Sequence, residues 1–438
     1  MKLIFVENRY KTYFFDAIAQ KLCSNGHEIH WIIQNNQFLP KGKCKIHVIN
    51  YPKNNLDSCL KEQYIEDLIK SDRQQNHFNK ADTSYFYYYN TEIEKILYDV
   101  KPDFVFGEST AFHELLTIAN CKKQAILYLN PSTCRYPIGR FSFYEYDTLN
   151  PYGGSGELLS HSEAKGVIDQ IIYRKTAPDY MKPASTSKAT VIKDQIKKIY
   201  SYTKGETFNT PSPLIKFKLE KKRKKNILAW DINALKGIEG DGSFNILYPL
   251  QMQPEANIDV WGRSYRDQTN LIDQLSKSLP ENVILYIKPN PKSKYELTPE
   301  LIQLLQSKSN VKYLHHTSKM DDILSLINLV VTVTGTIAIE CVLSNKPVAT
   351  LIKTINNEAK NCTFIESIER DLPNVIKSVK DGVFKTLTLE EKIDFINEIN
   401  TSSYKGVISD PFSDKNCVSK ENINNIKFAF EQILKQES

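Results

Sequence analysis

Thr334, Gly335 and Thr336 lie between the apolar run LVVTV and an apolar stretch that is typical of a helix. Such a turn gathers free backbone N–H groups, two hydroxyls and the positive end of a helix dipole at one point. Glu340 follows Thr336 by one helical turn, where its carboxylate could reach ribose hydroxyls. The turn therefore predicts a nucleotide phosphate site, although a plain helix N-cap with a solvated Glu340 would leave the same pattern.

A second candidate turn follows the apolar run VILYI, where Lys288-Pro289-Asn290-Pro291 ends a predicted strand. The two prolines hold the backbone in an extended path. Ligands of open parallel sheets bind at the carboxyl ends of the strands. Lys288 offers a compact cation for a phosphate, and Asn290 offers both a donor and an acceptor. The alternative is an exposed proline-rich turn.

Length and composition predict the domain count and the class of protein. The 438 residues predict two domains of about 200 residues each. A hydrophobic content of 41% and a net charge of +6 are ordinary for a soluble globular protein and do not indicate nucleic-acid binding. The eight cysteines form no CxxC pair, which fits a reducing cytoplasm and excludes a cysteine zinc site.

Neither a signal peptide nor a membrane span is predicted, because the opening MKLIFVEN becomes polar by its seventh residue and no apolar run is long enough. We therefore expect a cytoplasmic protein. The basic run PSPLIKFKLEKKRKKN predicts a solvated linker, with contact to anionic lipid headgroups as the alternative. Such contact would place the protein at the inner face of the cytoplasmic membrane.

Strands and helices alternate along both halves of the chain. KLIFVEN, HEIHWIIQ, KIHVIN, DFVFG and AILYLN are predicted strands of the first half, with helices between them. NILAW, FNILYPL, VILYI, VKYL, LVVTV and PVATL are predicted strands of the second half. This rhythm predicts two doubly wound α/β domains. A last helix at roughly 420–436 should pack back on the body of the protein.

Two Rossmann-like domains facing across a cleft, with the phosphate turns in the second, define the glycosyltransferase fold class GT-B. The predicted ranges are an N-terminal acceptor-side domain (1–212), a basic linker (213–225), a C-terminal nucleotide-sugar domain (226–418) and the C-terminal helix (419–438). The same fold also occurs in sugar-nucleotide epimerases, so the fold alone does not give the activity.

Several blocks of the sequence resemble the bacterial capsule and surface-polysaccharide biosynthesis family. They are YPLQMQPEANID, DQTNLIDQLSKSLPENVILYIKPNP and VTVTGTIAIECVLSNKPV in the second half, and GEST and PSTCRYPIGRFSFY in the first. Within that family the chain looks most like the retaining β-Kdo transferases, which take Kdo from CMP-Kdo. The resemblance covers roughly residues 100–350.

The resemblance implies two catalytic carboxylates. Asp231, in LAWDINALKG, matches the aspartate that attacks the anomeric carbon in these transferases, and Glu157, in NPYGGSGELL, matches a second acid. A carboxylate nucleophile gives retention through two inversions. Glu157 would then act as acid/base on the acceptor hydroxyl. From the residues alone, Asp231 could equally end a strand and Glu157 could begin a helix.

The donor's phosphate and sugar carboxylate need partners too. Our candidates for donor binding are Lys288, Asn290, Thr334, Gly335, Thr336, Glu340, Gln251, Glu255, Arg135, Arg140 and His316. Arg135 and Arg140 could hold the sugar carboxylate or an acceptor in bidentate fashion, unless they are ordinary surface arginines. His316 could touch the nucleotide, with a solvated His315-His316 pair as the alternative.

Three kinds of protein remain open at this point. The first is a retaining transferase that moves Kdo from CMP-Kdo to a lipopolysaccharide O-antigen or capsule glycan, without cofactor or obligatory metal. The second is another enzyme of the same fold, using a different CMP- or NDP-sugar as a sialyltransferase or an epimerase does. The third is a non-catalytic polysaccharide export or binding module. The expected partners are a nucleotide-sugar donor and a glycan or lipid-linked glycan acceptor, with no nucleic acid.

Overall fold

The computed structural model describes residues 1–52, 62–78, 80, 82–175, 187–238 and 242–436. Its helices are α1 (Lys11–Ser24), α2 (Gln63–Ser71), α3 (Arg73–Asn76), α4 (Ser84–Val100), α5 (Phe112–Lys123), α6 (His161–Ile172), α7 (Lys188–Thr203), α8 (Pro213–Asn233), α9 (Gln268–Lys277), α10 (Pro299–Ser307), α11 (Met320–Leu324), α12 (Ile337–Ser344), α13 (Ile368–Lys380), α14 (Leu389–Thr401) and α15 (Lys420–Gln436).

The strands are β1 (Lys2–Val6), β2 (Glu28–Ile33), β3 (Lys45–Val48), β4 (Phe104–Phe106), β5 (Leu127–Thr133), β6 (Arg140–Glu145), β7 (Pro151–Tyr152), β8 (Phe244–Pro249), β9 (Val283–Lys288), β10 (Val311–Tyr313), β11 (Leu329–Thr332), β12 (Val348–Thr350), β13 (Cys362–Phe364) and β14 (Tyr404–Lys405). Most of them coincide with the short apolar runs that the sequence marks as buried strands.

The chain folds into two units. Unit 1 comprises Met1–Ser160, Thr176–Ile215 and Asn397–Ser438, and unit 2 comprises His161–Lys175 and Lys216–Ile396. Besides the linker and the C-terminal helix, which are not separate units, these ranges differ from the predicted domains at two places. The helix α6 packs on α12 and so belongs to unit 2, whereas β14 pairs with β6 and draws the segment after residue 396 into unit 1.

Unit 2 is built on a parallel sheet with the strand order β10-β9-β8-β11-β12-β13. Numbered along the chain, this order is 3-2-1-4-5-6, the order of the Rossmann fold. The five neighbouring strand pairs of this sheet are parallel, and the core strands are buried, as the apolar runs require. The order reverses between β8 and β11, so the crevice at their carboxyl ends is the expected ligand position.

Unit 1 repeats this pattern with an antiparallel addition. Strands β3-β2-β1-β4-β5 are parallel, and β6, β7 and β14 extend the sheet in antiparallel fashion. Its core is rich in aromatic rings, with Phe5 stacked on Trp31 and Phe106 at centroid distances of 5.3 and 5.4 Å. The predicted C-terminal helix is present as α15 and packs on α1 within this unit. The predicted GT-B fold class, with two Rossmann-like units, is confirmed at the level of these sheets and of α15.

The basic segment expected to be a linker is helical, and so is NILAW, for which the sequence predicts a strand. Both lie in α8. Pro213 begins this helix, where its missing N–H costs no bond, and Lys and Arg are good helix formers. Trp230 is fully buried and anchors the helix to the core of unit 2. The prediction failed because a five-residue apolar run fits a buried strand and one face of a helix equally well.

The described cysteines carry free thiols, and five of the seven are buried. Cys59 lies outside the described residues, as do parts of two stretches whose sequence is typical of helices, 57–72 and 160–205. Across the described part of the chain, no helix combines the length and the apolar composition needed to cross a bilayer.

Candidate functional site

Polar side chains of unit 2 meet at the carboxyl ends of β8 and β11, where the strand order reverses. Gln251 follows β8 and donates from Nε2 to the Oγ1 of Thr332, the last residue of β11, at 3.4 Å. The Gly335 amide donates to the same hydroxyl at 3.2 Å. Gln251 and Thr332 are both buried. This is the crevice in which open α/β sheets bind their ligands.

Gly335 allows the backbone to turn tightly against these two side chains. A Cβ at this position would lie 2.7 Å from Thr332 Oγ1 and 3.3 Å from Gln251 Nε2. Thr334 donates to the Asn257 carbonyl at 3.2 Å, which fixes the turn before α12. Thr336 occupies the N-cap position of α12 but makes no side-chain capping bond. The turn thus presents the amino end of α12 at the sheet edge, as the sequence predicts.

Lys288 ends β9 at the same sheet edge, and its side chain is buried. Its Nζ donates to the Pro289 carbonyl at 3.3 Å, and no carboxylate of the described residues forms an ion pair with it. Burial lowers the pKa of the Lys288 ammonium from its ordinary value. Asn290, just beyond, accepts the Lys292 amide at 2.8 Å and shapes the turn. A buried cation without a counter-ion favours an anionic ligand.

The segment after β8 forms a network of side-chain amides. Gln268 accepts the Gln251 amide at 2.8 Å and donates to Gln253 Oε1 at 2.9 Å. Gln253 donates in turn to Asp259 Oδ1 at 2.8 Å, and Asp259 Oδ2 accepts the Glu255 amide at 2.9 Å. Burial raises the pKa of Asp259 to about 6. Gln251 and Glu255, which are predicted to bind the donor, therefore lie on a segment that is held by hydrogen bonds.

Glu340, predicted to reach a ribose, is engaged by an arginine that the sequence analysis did not single out. Its Oε2 accepts Arg174 Nη2 at 2.7 Å and Nε at 3.1 Å. Arg174 also pairs with Asp321. The ribose role of Glu340 stays a prediction, and Arg174 joins the residues that shape this end of α12.

Asp231 lies in the last turn of α8 and faces two imidazoles. The His316 amide donates to Asp231 Oδ1 at 3.1 Å, and His316 Nδ1 forms a hydrogen bond with Oδ2. The Nε2 atom of His315 lies 3.4 Å from the same Oδ2. The three side chains are partly exposed. The expectation that Asp231 directly follows a strand is therefore wrong, because a helix end positions this carboxylate.

Arg140 and Glu157 form an ion pair within unit 1. Arg140 Nη1 donates to Glu157 Oε2 at 3.0 Å, and Lys405 Nζ donates to Oε1 at 2.6 Å. Hydrogen bonds from Lys405 and Arg140 lower the pKa of Glu157.

The remaining donors of Arg140 hold the chain around Ser403. Nε donates to Ser403 Oγ at 2.8 Å, and Nη2 donates to the Ser403 carbonyl at 2.8 Å and the Asn400 carbonyl at 2.9 Å. This arrangement favours a structural role for Arg140 over the predicted contact with a sugar carboxylate. Arg135 is half-buried in the connection between β5 and β6.

The corresponding edge of the unit 1 sheet is rich in buried carboxylates. Glu7 follows β1 and accepts the Asn35 amide at 2.9 Å, with His113 Nε2 3.9 Å away. Glu108 follows β4 and pairs with Lys11 at 2.5 Å. Glu114 accepts the Ala111 amide at 2.7 Å and Asn8 Nδ2 at 2.8 Å. Burial raises the pKa of these three carboxyl groups.

Comparison with known proteins yields structural likeness alone. No family model matches this chain, and no curated protein matches it. Similar solved structures include a UDP-GlcNAc 2-epimerase from Neisseria meningitidis bound to UDP-GlcNAc, with 14% identity, 99% of this chain and 100% of that chain covered, and a TM-score of 0.29.

A β-Kdo 2,7 transferase from Thermosulfurimonas dismutans has 9% identity, full coverage of both chains and a TM-score of 0.39. A glycosyltransferase from Rickettsia africae has 13% identity, 99% and 98% coverage and a TM-score of 0.30. At TM-scores this low the likenesses carry no argument about function. The fold of this chain rests on its own strand orders.

Proposed function

We propose that this chain is a glycosyltransferase that uses a nucleotide-activated sugar, whose phosphate binds at the carboxyl edge of the unit 2 sheet. The observation that supports it best is Lys288, a buried ammonium at the end of β9 that has no ion-pair partner among the described residues. Desolvating an unpaired charge is costly, so such a group is favoured where a ligand supplies the opposite charge.

The turn before α12 adds a second group of donors. The amino end of this helix carries partial positive charge, and Gly335 lets the preceding turn pack closely against Thr332 and Gln251. Thr334, Thr336 and Asn290 would contribute hydroxyl and amide groups around the phosphate. Gln251 and Glu255, held by the Gln268 and Asp259 network, would face the sugar.

For the donor we propose CMP-Kdo, on the resemblance of the sequence blocks to the retaining Kdo transferases. Asp231 would attack the anomeric carbon of Kdo while the bond to CMP breaks, giving a glycosyl-aspartate. An acceptor hydroxyl would then displace Asp231 and restore the original configuration. The hydrogen bonds from His316 hold the carboxylate in one orientation, which favours a positioned nucleophile.

Glu157 remains the proposed acid/base, with an acceptor hydroxyl as its proton donor. Its lowered pKa keeps it ionised at neutral pH, which disfavours a general acid and leaves a weak general base. The Arg140 pair would orient it. Arg135 stays a proposed contact for the donor or the acceptor.

Purified protein incubated with CMP-Kdo and a glycan acceptor should release CMP and give a product that retains the anomeric configuration of the donor. Asp231→Asn should lose at least 100-fold in rate, because removing a nucleophile eliminates the covalent route. Asn233→Ala, an exposed change in the same last turn of α8, is the matched control. Inversion of configuration, or wild-type rates in Asp231→Asn, would contradict the mechanism.

An epimerase is the second candidate, and the fold alone permits it. Incubation with UDP-GlcNAc and other NDP-sugars separates it from a transferase, since an epimerase alters the sugar without any acceptor. A chain that binds nucleotide but converts none of these sugars would be a non-catalytic export or binding module, and a chain that binds no cytidine nucleotide would exclude CMP-Kdo as the donor. Equilibrium dialysis with CMP and UDP measures this directly.

Contact with an anionic membrane surface is also proposed, since acceptors of such pathways are lipid-linked. The first turns of α8 expose Leu214 and Phe217 to 74% and 72%, beside a run of exposed lysines. Apolar and basic side chains together bind anionic lipid surfaces. Vesicles containing phosphatidylglycerol should co-sediment wild type, whereas the Leu214→Ser/Phe217→Ser double variant should bind several-fold more weakly. Equal binding to neutral vesicles would exclude an electrostatic contribution.

A further inference from the structure

Asp231, His315 and His316 bring three potential metal ligands together on unit 2. One oxygen or nitrogen atom from each side chain lies within 4.8 Å of the other two. The sequence alone indicates a solvated histidine pair, or a nucleotide contact for His316. The structure instead turns both rings toward one carboxylate oxygen, Oδ2 of Asp231.

The spacing of one pair of these atoms, on His315 and Asp231, is close to that of ligands in a zinc coordination sphere. Zinc with bonds of about 2.0–2.1 Å keeps its ligand atoms roughly 3.3 Å apart in a tetrahedron. His315 Nε2 lies 3.4 Å from Asp231 Oδ2. His316 Nδ1 is hydrogen-bonded to the same oxygen, so a ring nitrogen of each histidine already faces the carboxylate. Three protein ligands leave one position open to solvent.

The outer contacts of the cluster also suit a metal. His315 Nδ1 lies 2.8 Å from Thr317 Oγ1 and also accepts the Thr317 amide at 3.3 Å, so this side of the ring is held by Thr317 while Nε2 faces the carboxylate. Metal-binding histidines usually carry such a partner on the second ring nitrogen. The His316 amide fixes the other carboxylate oxygen at 3.1 Å.

The backbone beneath the ligands is held from two sides. The Trp230 indole N–H donates to the Leu314 carbonyl at 2.9 Å, directly before His315. His315 N donates to the Leu235 carbonyl, and Leu235 N to the Tyr313 carbonyl, both at 2.8 Å. Little reorganisation is therefore needed for the three side chains to bind an ion together.

We propose that Asp231, His315 and His316 form a binding site for a zinc-class divalent ion. Two imidazole nitrogens and one carboxylate suit Zn²⁺, Co²⁺ or Ni²⁺, whereas Mg²⁺ and Ca²⁺ prefer oxygen ligands. The site itself does not depend on the proposed transferase activity. Its consequence does: a bound ion would occupy the carboxylate proposed as nucleophile, so zinc would inhibit transfer.

The chain contains a second histidine pair that serves as a matched control. His30 Nδ1 lies 2.9 Å from His47 Nε2, and His30 Nε2 lies 3.0 Å from Glu28 Oε1. Here one ring uses both of its nitrogens to link the other two groups. The three groups therefore do not direct one ligand atom each toward a common point, and His47→Gln should leave metal binding unchanged.

The test uses the full chain, treated with a chelator, desalted and titrated with Zn²⁺ against a chromophoric zinc indicator. We expect one equivalent of zinc per chain. His315→Gln and His316→Gln should each lower the affinity at least about tenfold, the scale of losses on disturbing a metal's ligand shell. Excess Mg²⁺ should not compete, and Co²⁺ should give visible d–d absorption without a thiolate band. Thermal melts confirm that each variant is folded.

Three results would overturn the proposal. They are an absence of stoichiometric zinc binding, equal affinity in His315→Gln and wild type, and a thiolate-to-cobalt band that assigns the ion to cysteines. Because neither donor nor acceptor is present, none of these results depends on whether the chain transfers sugar. Where transfer is measured, zinc should inhibit wild type and inhibit His315→Gln at least tenfold less.

Discussion

The two sheets have the same order of parallel strands, but the side chains at their carboxyl edges differ in charge. In unit 1 the edge is lined by the buried carboxylates of Glu7, Glu108 and Glu114, each engaged by hydrogen bonds or cations of the unit itself. In unit 2 the same edge carries Lys288 and small hydroxyl and glycine residues. The same strand order can therefore place either hydrogen-bonded carboxylates or an unpaired cation at the carboxyl edge of a sheet. The side chains at the strand ends therefore decide what each edge can bind.

We expect the largest loss of stability at the unit 1 edge, where the buried carboxylates are engaged by hydrogen bonds or cations. Glu114→Ala removes the acceptor of the Ala111 and Thr110 amides and of Asn8 Nδ2, leaving buried donors unpaired. We expect a loss of about 3–5 kcal/mol in the free energy of unfolding. Denaturant titration measures it.

Glu94→Ala is the control for this experiment, because its pair with Lys123 is exposed and should cost under about 0.5 kcal/mol. Equal losses in the two variants would mean that the unit 1 edge is not held together by its buried carboxylates.

Removal of the unpaired Lys288 at the unit 2 edge should not destabilise the protein. Lys288→Met removes a buried charge, so the free energy of unfolding should stay equal or rise, while affinity for CMP should fall about 10- to 100-fold. Calorimetry and thermal melts measure the two quantities. Lys292→Met, at an exposed position in the same turn, should change neither.

This stability gain should depend on pH with a definite sign. The pKa of Lys288 is lower in the folded chain than the ordinary 10.5, so the cost of its charge is greatest at neutral pH and disappears as pH rises toward 10.5. The advantage of Lys288→Met should shrink over that range. A gain independent of pH would contradict the explanation by charge.

The smallest effect that we expect is a pH dependence of stability at Asp259 of unit 2. Burial raises the pKa of Asp259 from 3.8 to about 6, so the folded chain takes up a proton there before the unfolded chain does. Wild type should therefore gain stability relative to Asp259→Asn as pH falls from about 7 to 4. Asp273→Asn should show the opposite slope in a lower window, as pH falls to and below the ordinary 3.8, because Lys277 and Lys308 lower the pKa of that carboxyl. Denaturant titrations at several pH values measure both slopes.

Much of the fold was predictable because apolar runs bounded by turns marked most of the strands, including LVVTV and VILYI. The strand prediction for NILAW was wrong because a five-residue apolar run can form either a buried strand or the buried face of a helix. In the structure it is part of α8, with Trp230 buried. Strand β13 was missed because its three residues CTF carry no apolar run. Strand β14 joined unit 1 from a distant part of the chain, and no local pattern indicates such a pairing.

The parts of the candidate site that lie in a turn after a strand were predictable from the sequence. The contacts between residues far apart in the sequence were not. Lys288 and the turn at Gly335 are local patterns, and the structure places both at one sheet edge. The pairing of Glu340 with Arg174 joins positions 166 residues apart in sequence. The His315-His316 dipeptide was visible at a strand end, but only folding brings it to Asp231.

Trp230 has a consequence for how this protein can be studied. It precedes Asp231 in the chain, is fully buried, and its indole hydrogen-bonds the residue before His315. The other two tryptophans, Trp31 and Trp261, lie elsewhere in the sequence. Occupancy of the Asp231 cluster should thus alter intrinsic fluorescence, and quenching by Co²⁺ in a Trp31→Phe/Trp261→Phe background would report it without any added label.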